Sequence, residues 1–139
     1  MTFLPEDDRA YLAEKLIRYE LLSEPTGPGS SRNAIVFPEY ALPANLFSSV
    51  DGQLVPAVAT DLLILVPSGY ATTKLDSFYT LKRLKRADGA EPINANGEQD
   101  LFGKKWQFWS RHLDDKDWRD GIDGLSTYLE YVRRELRVA

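Results

Sequence analysis

Ser110 and His112, two positions apart, are the residues of this chain best suited to carry out chemistry. In an extended stretch, side chains at positions i and i+2 point to the same side, so both would face one space. A histidine in that position is a base for a serine hydroxyl, which is a poor nucleophile near neutral pH without one. The alternative is structural: Ser110 hydrogen-bonds a turn and a backbone carbonyl holds His112. Both interpretations stay open at this point.

The composition gives little support to other kinds of chemistry. The 139-residue chain contains no cysteine, which excludes thiol nucleophiles, thiolate metal sites and disulfides. It contains one histidine, so a metal site would consist mostly of carboxylates, and no spacing suggests one. The net charge of −4 gives no positive field to attract nucleic acid or an anionic membrane. We therefore expect no cofactor, no metal, no nucleic acid and no membrane among its ligands.

The sequence shows no signal for export or membrane insertion. Residues 1–8 (MTFLPEDD) lack the basic and apolar regions of a signal peptide. The longest apolar run, residues 62–67, is far shorter than the ~20 residues that span a bilayer. We expect a cytoplasmic protein with one domain over residues 1–139.

Apolar periodicity predicts a helix near each end of the chain. Pro5 and the acidic residues after it are typical of a helix start, and the apolar spacing that follows predicts a helix over roughly 6–22. A second set of apolar residues, from Ile122 to Leu136, predicts an amphipathic helix over roughly 120–137. Residues 23–32 contain two prolines and two glycines and are predicted to be a loop.

The middle of the chain predicts an antiparallel meander of about three or four strands. β-rich runs occur at 34–37 and at 45–50, the second ending in an Asp51-Gly52 turn. Residues 61–67 are continuously apolar, as in a central strand or one buried on both faces. Residues 68–105 are rich in turn formers and predict a long ordered or functional loop. The fold class is therefore α+β.

Two charged segments are candidate contact surfaces. Residues 81–86 (LKRLKR) form a basic cluster in an acidic protein, and residues 114–117 form an acidic run. The favoured interpretation of each segment is a solvated surface without a binding role. The functional alternatives are contact of the basic cluster with an acidic partner and steering of an incoming lysine by the acidic run.

Residues 64–70, 106–112 and 117–121 carry three local motifs. These motifs resemble the ubiquitin-conjugating (E2) superfamily, and the whole chain from about Leu4 onward resembles prokaryotic E2 family E. Residues 64–70 (ILVPSGY) resemble the end of the third E2 strand and its tyrosine turn, although Ala71 replaces the usual proline. Residues 117–121 (DWRDG) resemble the tryptophan turn after the E2 active site, and residues 106–112 (WQFWSRH) resemble family E itself. The resemblance implies an E2-like fold with a long active-site loop, lacking the last E2 helices after Ala139.

The resemblance also implies which residue occupies the active site. In the superfamily the catalytic cysteine lies about eight residues before the turn tryptophan, and counting back from Trp118 reaches Ser110. The usual His-Pro-Asn motif is absent, and Asn94 and Asn96 lie too far back for spacing to assign them the oxyanion role. Ser110 and His112 are therefore the candidate catalytic residues.

Family E is associated with bacterial operons that encode ubiquitin-like proteins, E1-like adenylating enzymes and peptidases, a setting that suggests antiviral defence. The implied partners are an E1-like enzyme and a ubiquitin-like protein. Aromatic residues 106, 108, 109 and 118 are expected to lie mainly in the core. The candidate partner-binding residues are Tyr70, Lys82, Arg83, Lys85, Arg86, Trp109, Arg111 and Asp117.

Two functions follow from the resemblance. The chain is either a transferase that carries a ubiquitin-like acyl group on Ser110 as an oxyester, or a catalytically silent E2 variant that binds the same partners as an adaptor. The lack of cysteine favours the adaptor. The serine at the cysteine position, with a histidine nearby, favours the enzyme.

Overall fold

A computed structural model describes residues 3–70, 73–111, 115–120 and 122–139. The described part contains two α-helices, eight strands and a short 3-10 helix. In chain order these are α1 (Glu6–Glu14), β1 (Glu20–Gly27), β2 (Ser30–Ala41), β3 (Phe47–Val50), β4 (Gln53–Pro56), β5 (Ala59–Val66), β6 (Phe78–Thr80), β7 (Gly97–Leu101), β8 (Lys104–Trp109), the 3-10 helix (Asp115–Asp117) and α2 (Leu125–Arg137). His112 and Gly121, on which the sequence predictions drew, lie outside the described residues.

Six strands form one curled antiparallel sheet in the order β1-β2-β5-β6-β8-β7. β5 lies in its interior between β2 and β6, which confirms the central strand predicted at 61–67. β3 and β4 form a separate hairpin, and Asp51 and Gly52 at its turn have φ of 51° and 80°, as the predicted turn requires. The predicted α+β class, with a helix at each end of an antiparallel sheet, is confirmed.

The first helix is shorter than predicted. α1 ends at Glu14, and Leu16 has a φ of 55° and is 91% exposed. The amide of Ile17 donates to the carbonyl of Leu12, and that of Leu16 donates to Ala13. These two bonds form a Schellman ending, in which the left-handed position is usually glycine. A leucine there leaves the apolar spacing unbroken, so periodicity alone extended the helix to residue 22.

The predicted loop at 23–32 is instead the hairpin of β1 and β2. β1 pairs with β2 from Glu20↔Val36 to Gly27↔Ser30, so only Pro28 and Gly29 form the turn. β1 is an edge strand, where a proline is tolerated, and the register shifts between Pro25 and Gly27. Turn-forming residues therefore do not exclude a strand at this edge.

Two other strand predictions need correction. β2 continues past Pro38 to Ala41, because a bulge between Phe37 and Tyr40, with Glu39 at a φ of 52°, restores the pairing with β5. The predicted loop at 68–105 contains β6, β7 and the start of β8. β6 has only three residues and β7 has the polar sequence GEQDL, so neither gives a clear apolar signal.

The C-terminal helix begins later than predicted, at Leu125 instead of about 120. Ile122 is 71% exposed and precedes the helix, whereas Val132 and Leu136 are fully buried. The apolar side of α2 packs with α1 on the sheet face that carries Ile35, Phe78 and Trp109. A second and smaller apolar cluster, which includes Val36, Tyr79 and Trp106, lies apart from this main core.

The buried carboxylate of Asp8 joins α1 to the start of α2. One oxygen, Oδ1, accepts the Leu125 amide at 3.1 Å, and Oδ2 accepts the Tyr70 hydroxyl at 2.6 Å. A Cβ on Gly124 would lie 2.7 Å from Asp8 Oδ1, so this close approach requires a glycine. Burial, followed by the hydrogen bond to Asp8, raises the pKa of Tyr70. Asp8 therefore supplies the N-terminal cap that α2 lacks in its own sequence.

We expect Asp8→Ala to lower the free energy of unfolding by about 3 kcal/mol, because it leaves the buried Leu125 amide and the partly buried Tyr70 hydroxyl without their acceptor. Urea denaturation measures the change. Asp7→Ala is the matched control, because Asp7 lies in the same helical turn but is exposed. Equal losses for the two variants would contradict the capping role.

Candidate functional site

The hairpin of β7 and β8 brings Ser110 next to Asn94. The strands pair from Gly97↔Phe108 to Leu101↔Lys104 around a Phe102-Gly103 turn. At the open end of the hairpin, the Ser110 amide donates to the Asn94 carbonyl at 2.8 Å. Asn94 is exposed and has a φ of 57°, and Ser110 is partly exposed. Two residues that are sixteen positions apart in the sequence therefore meet at one local site.

Asn94 is the residue that sequence spacing failed to place. A linear count from Ser110 put it too far back, but a hairpin joins the residues that flank its two strands. Phe102 and Gly103 have φ of 52° and 79°, the two left-handed positions of a two-residue hairpin turn. A glycine between two possible strands was the available signal.

The backbone at Ser110 is not extended as the sequence prediction assumed. β8 ends at Trp109, and the Arg111 amide donates to the Trp109 carbonyl at 2.9 Å. This bond closes a γ-turn centred on Ser110. The i and i+2 argument for pairing Ser110 with His112 therefore loses its premise. The pairing itself stays a prediction, because His112 lies outside the described residues.

Arg111 fastens the Asn94 segment to α2. Its Nε and Nη2 donate to the Ile93 carbonyl at 3.0 and 2.7 Å, and its Nη1 donates to Glu135 at 3.1 Å. The guanidinium carbon lies 5.2 Å from the centre of the Trp109 ring. The side chain is only 11% exposed, so its contacts are largely internal. Its predicted role in partner binding has no support from this position.

We expect Arg111→Lys to lower the free energy of unfolding by about 2 kcal/mol, because an ammonium cannot donate to Ile93 and Glu135 with the fork of a guanidinium. Chemical denaturation measures the change. Arg133→Lys is the control, because its ion pair with Glu130 is more than half exposed and contributes at most about 1 kcal/mol. Equal effects of the two substitutions would contradict the fastening role.

Trp109 is a core residue, and this position gives no support to its predicted role in partner binding. It is fully buried, stacks on Phe78 with ring centres 5.3 Å apart, and donates from Nε1 to the Thr80 hydroxyl at 3.0 Å. Trp118 is also buried, with its ring centre 6.3 Å from that of Tyr70. These positions agree with the core role that the sequence favoured for the tryptophans. A partner cannot reach Trp109 without local unfolding.

The basic cluster does not form one continuous cationic face. Arg83 pairs with Glu91 and lies 3.8 Å from Glu98, and Arg86 lies 3.7 Å from Asp88. Leu84 is fully buried between them. The remaining cations are Lys82, which is exposed, and Lys85, whose backbone bridges to Phe47 in β3.

The tryptophan turn is held by a carboxylate at its far end. Asp123 is 7% exposed and accepts bonds from the Arg119 amide and guanidinium and from the Thr127 hydroxyl. These bonds, chiefly that of the Arg119 side chain, lower the pKa of Asp123 to about 2.

Asp117, in the 3-10 helix, is exposed. Of the predicted acidic run at 114–117, Asp114 lies outside the described residues and Asp117 lies on the surface.

Within the described residues, no group of three or more potential ligands is arranged to hold a metal ion. Neither described helix is long and apolar enough to cross a membrane.

The helix, curled sheet and terminal helix, with a candidate acceptor after β8, define a domain of the E2-like class. The sequence profile of prokaryotic E2 family E matches residues 4–139, and the chain belongs to that family. No curated protein and no solved structure gives a significant match. Membership implies an E2-like role in bacterial ubiquitin-like conjugation and, in general terms, E1 and ubiquitin-like partners.

Proposed function

We propose that the chain is the E2-like carrier of a ubiquitin-like conjugation pathway, with the Ser110 hydroxyl as its acyl acceptor. It takes the C-terminal acyl group of a ubiquitin-like protein from an E1-like adenylating enzyme and passes it to a target amine. The loaded form is an oxyester, because the chain has no cysteine. We place the pathway in the cytoplasm and in antiviral defence.

The bond between the Ser110 amide and the Asn94 carbonyl is the observation that carries this proposal. It joins the residue at the superfamily's nucleophile position to an asparagine, the side chain to which that superfamily gives the oxyanion role. Both residues have solvent access. The buried Trp109 on one side and the Arg111 contacts on the other fix the backbone around them.

In the proposed loading step, Ser110 Oγ attacks the acyl carbon that the E1-like enzyme presents. The new C–O bond forms as the Oγ proton passes to His112, and the carbonyl oxygen gains negative charge. The Asn94 side-chain amide donates to that oxygen. The bond to the E1 leaving atom then breaks, and that atom takes the proton. Transfer to the target amine regenerates the serine hydroxyl.

The partner surfaces follow from the charges that stay unpaired. Among the described residues of the basic cluster, Lys82 and Lys85 have no ion-pair partner, so we assign them the contact with an acidic surface of the E1-like enzyme or the ubiquitin-like protein. Tyr70, Arg83, Arg86 and Arg111 already make internal contacts and are weaker candidates. Asp117 is exposed and stays a candidate.

The second candidate function is that of a silent adaptor that binds the same partners without forming an ester. The lack of any cysteine favours it, since a serine ester reacts less readily with amines than a thioester does. The γ-turn at Ser110 adds to this, because it removes the simple argument for a histidine base.

Incubation with the cognate E1-like enzyme, ubiquitin-like protein and ATP separates the two functions. The carrier forms a covalent adduct that resists reductant and is released by hydroxylamine, and omission of ATP prevents it. The adaptor forms no adduct but still binds one of the two proteins in a calorimetric titration. The absence of both adduct and binding would contradict either role.

A further inference from the structure

The amide side chain of Gln107, in β8, is buried and has no part in the proposed mechanism. Side chains along a strand alternate between its two faces, so Gln107 points to the same side as Trp109. Only 2% of Gln107 is exposed. A primary amide in such a position is costly unless its two N–H donors and its oxygen are all bonded. The hydrogen bonds of this side chain therefore show which backbone groups it stabilises.

The Gln107 amide bonds mainly to the segment between β6 and β7, residues 81–96, which contains no helix or strand. Its Nε2 donates to the Ala95 carbonyl at 2.8 Å and to the Leu84 carbonyl at 3.2 Å. Its Oε1 accepts the Leu84 amide at 2.8 Å and lies 3.1 Å from the Thr80 hydroxyl. One side chain thus fastens the segment to β8 at two points that are distant in sequence.

The Asn94 backbone is held through three successive carbonyl groups. The carbonyl of the preceding residue accepts from the Arg111 guanidinium, and that of Asn94 accepts the Ser110 amide. The carbonyl of Ala95, the next residue, accepts from Gln107. Asn94 has a φ of 57°, and a left-handed backbone conformation persists where the surrounding contacts hold it. The bond from Gln107 therefore helps to keep Asn94 in this conformation beside Ser110.

We propose that Gln107 is a positioning residue for acyl transfer, which fixes the Asn94 side chain beside Ser110 through its bond to the Ala95 carbonyl. This rests on the proposed carrier function and on the oxyanion role proposed for Asn94. A hydrogen-bond donor stabilises a developing oxyanion best when it is aligned before the charge forms. Gln107 is buried, so it acts through Asn94 and not by contact with the acyl group.

Replacement of Gln107 with methionine tests the positioning role, because methionine has a similar length but neither donates nor accepts as an amide does. Single-turnover loading is measured at increasing concentrations of the variant over a fixed amount of E1-like enzyme charged with the ubiquitin-like protein. We expect Gln107→Met to lower the maximal rate about tenfold, because a misplaced group slows the chemical step. The concentration that gives half the maximal rate stays unchanged. Gln107→Glu, which keeps the acceptor for the Leu84 amide but loses both donors, is the second variant and gives the same result.

A double substitution separates positioning from a general loss of stability. In the Asn94→Gly background, Gln107→Met causes no further slowing, because the side chain that Gln107 positions is already absent. Val132→Ala, a change at a fully buried position of α2, destabilises the fold but keeps the wild-type loading rate. Gln99→Met is the matched control, because Gln99 is an exposed glutamine in β7 that accepts from the Tyr79 hydroxyl, and it also loads normally.

Hydrogen exchange of the wild-type protein, followed by NMR, checks the contact without any substitution. We expect the side-chain amide protons of Gln107 to exchange much more slowly than those of Gln99, and equal exchange overturns the inference. A wild-type loading rate in Gln107→Met, or an equal slowing with and without Asn94→Gly, also overturns it while the carrier function stands. Failure of the wild-type protein to form any ester overturns the carrier function and this inference with it.

Discussion

Ser110→Ala abolishes the hydroxylamine-sensitive adduct, because it removes the hydroxyl of the residue whose amide bonds to Asn94. We expect the fold to persist, with a loss in the free energy of unfolding of at most about 1.5 kcal/mol for one hydroxyl in a partly exposed position. Intact mass measures the adduct, and circular dichroism during urea denaturation checks the fold. Ser49→Ala, on the β3–β4 hairpin, is the matched control and keeps wild-type loading.

Replacement with cysteine sharpens this prediction. Ser110→Cys forms a thioester that reductant removes, because a thiol at the same position accepts the same acyl group. His112→Ala slows loading of Ser110 much more than loading of Ser110→Cys, because cysteine ionises near neutral pH without a strong base. An adduct that persists in Ser110→Ala, or normal conjugation by that variant, would make the adaptor function the better account.

Asn94→Gly slows loading of Ser110 by about 10²–10³-fold, the usual loss for removal of one oxyanion donor. The substitution is well matched to the position. Asn94 has a φ of 57°, which glycine adopts without strain, and the backbone carbonyl that accepts the Ser110 amide stays in place. The loss therefore reports the side-chain amide and not a displaced backbone.

Single-turnover loading with limiting ubiquitin-like protein measures this rate. Asn96→Ala serves as the control, because Asn96 is also exposed but its carbonyl bonds to Arg83, away from Ser110. A full loading rate in Asn94→Gly would remove the amide from the mechanism and leave Asn94 a structural neighbour of Ser110.

Features that leave a direct mark on local composition were predictable from the sequence. The apolar run of β5 and the Asp51-Gly52 turn were placed correctly, because burial on both faces and left-handed φ angles leave direct marks on composition. The end of α1 was not, because Leu16 occupies the position where glycine usually announces a Schellman ending. The edge strand β1 was also missed, since prolines and glycines weaken its pattern without preventing its pairing.

The candidate site was only partly predictable from the sequence, for a different reason. A count along the chain from Trp118 selects Ser110, but the neighbour of Ser110 is set by the closure of the β7–β8 hairpin and not by distance in sequence. The same holds for Asp8, which caps a helix 117 residues away. Tertiary pairing of this kind leaves little trace in a single sequence, so these residues became evident only in the folded chain.

The most direct test of the carrier function is to map the adduct on the wild-type protein. After loading with the E1-like enzyme, the ubiquitin-like protein and ATP, rapid acidic digestion preserves an ester, and tandem mass spectrometry locates the C-terminal remnant of the ubiquitin-like protein. We predict that the remnant lies on Ser110, joined through oxygen. A remnant on another residue, or conjugation of targets with no adduct on this chain at any time, would contradict the assignment.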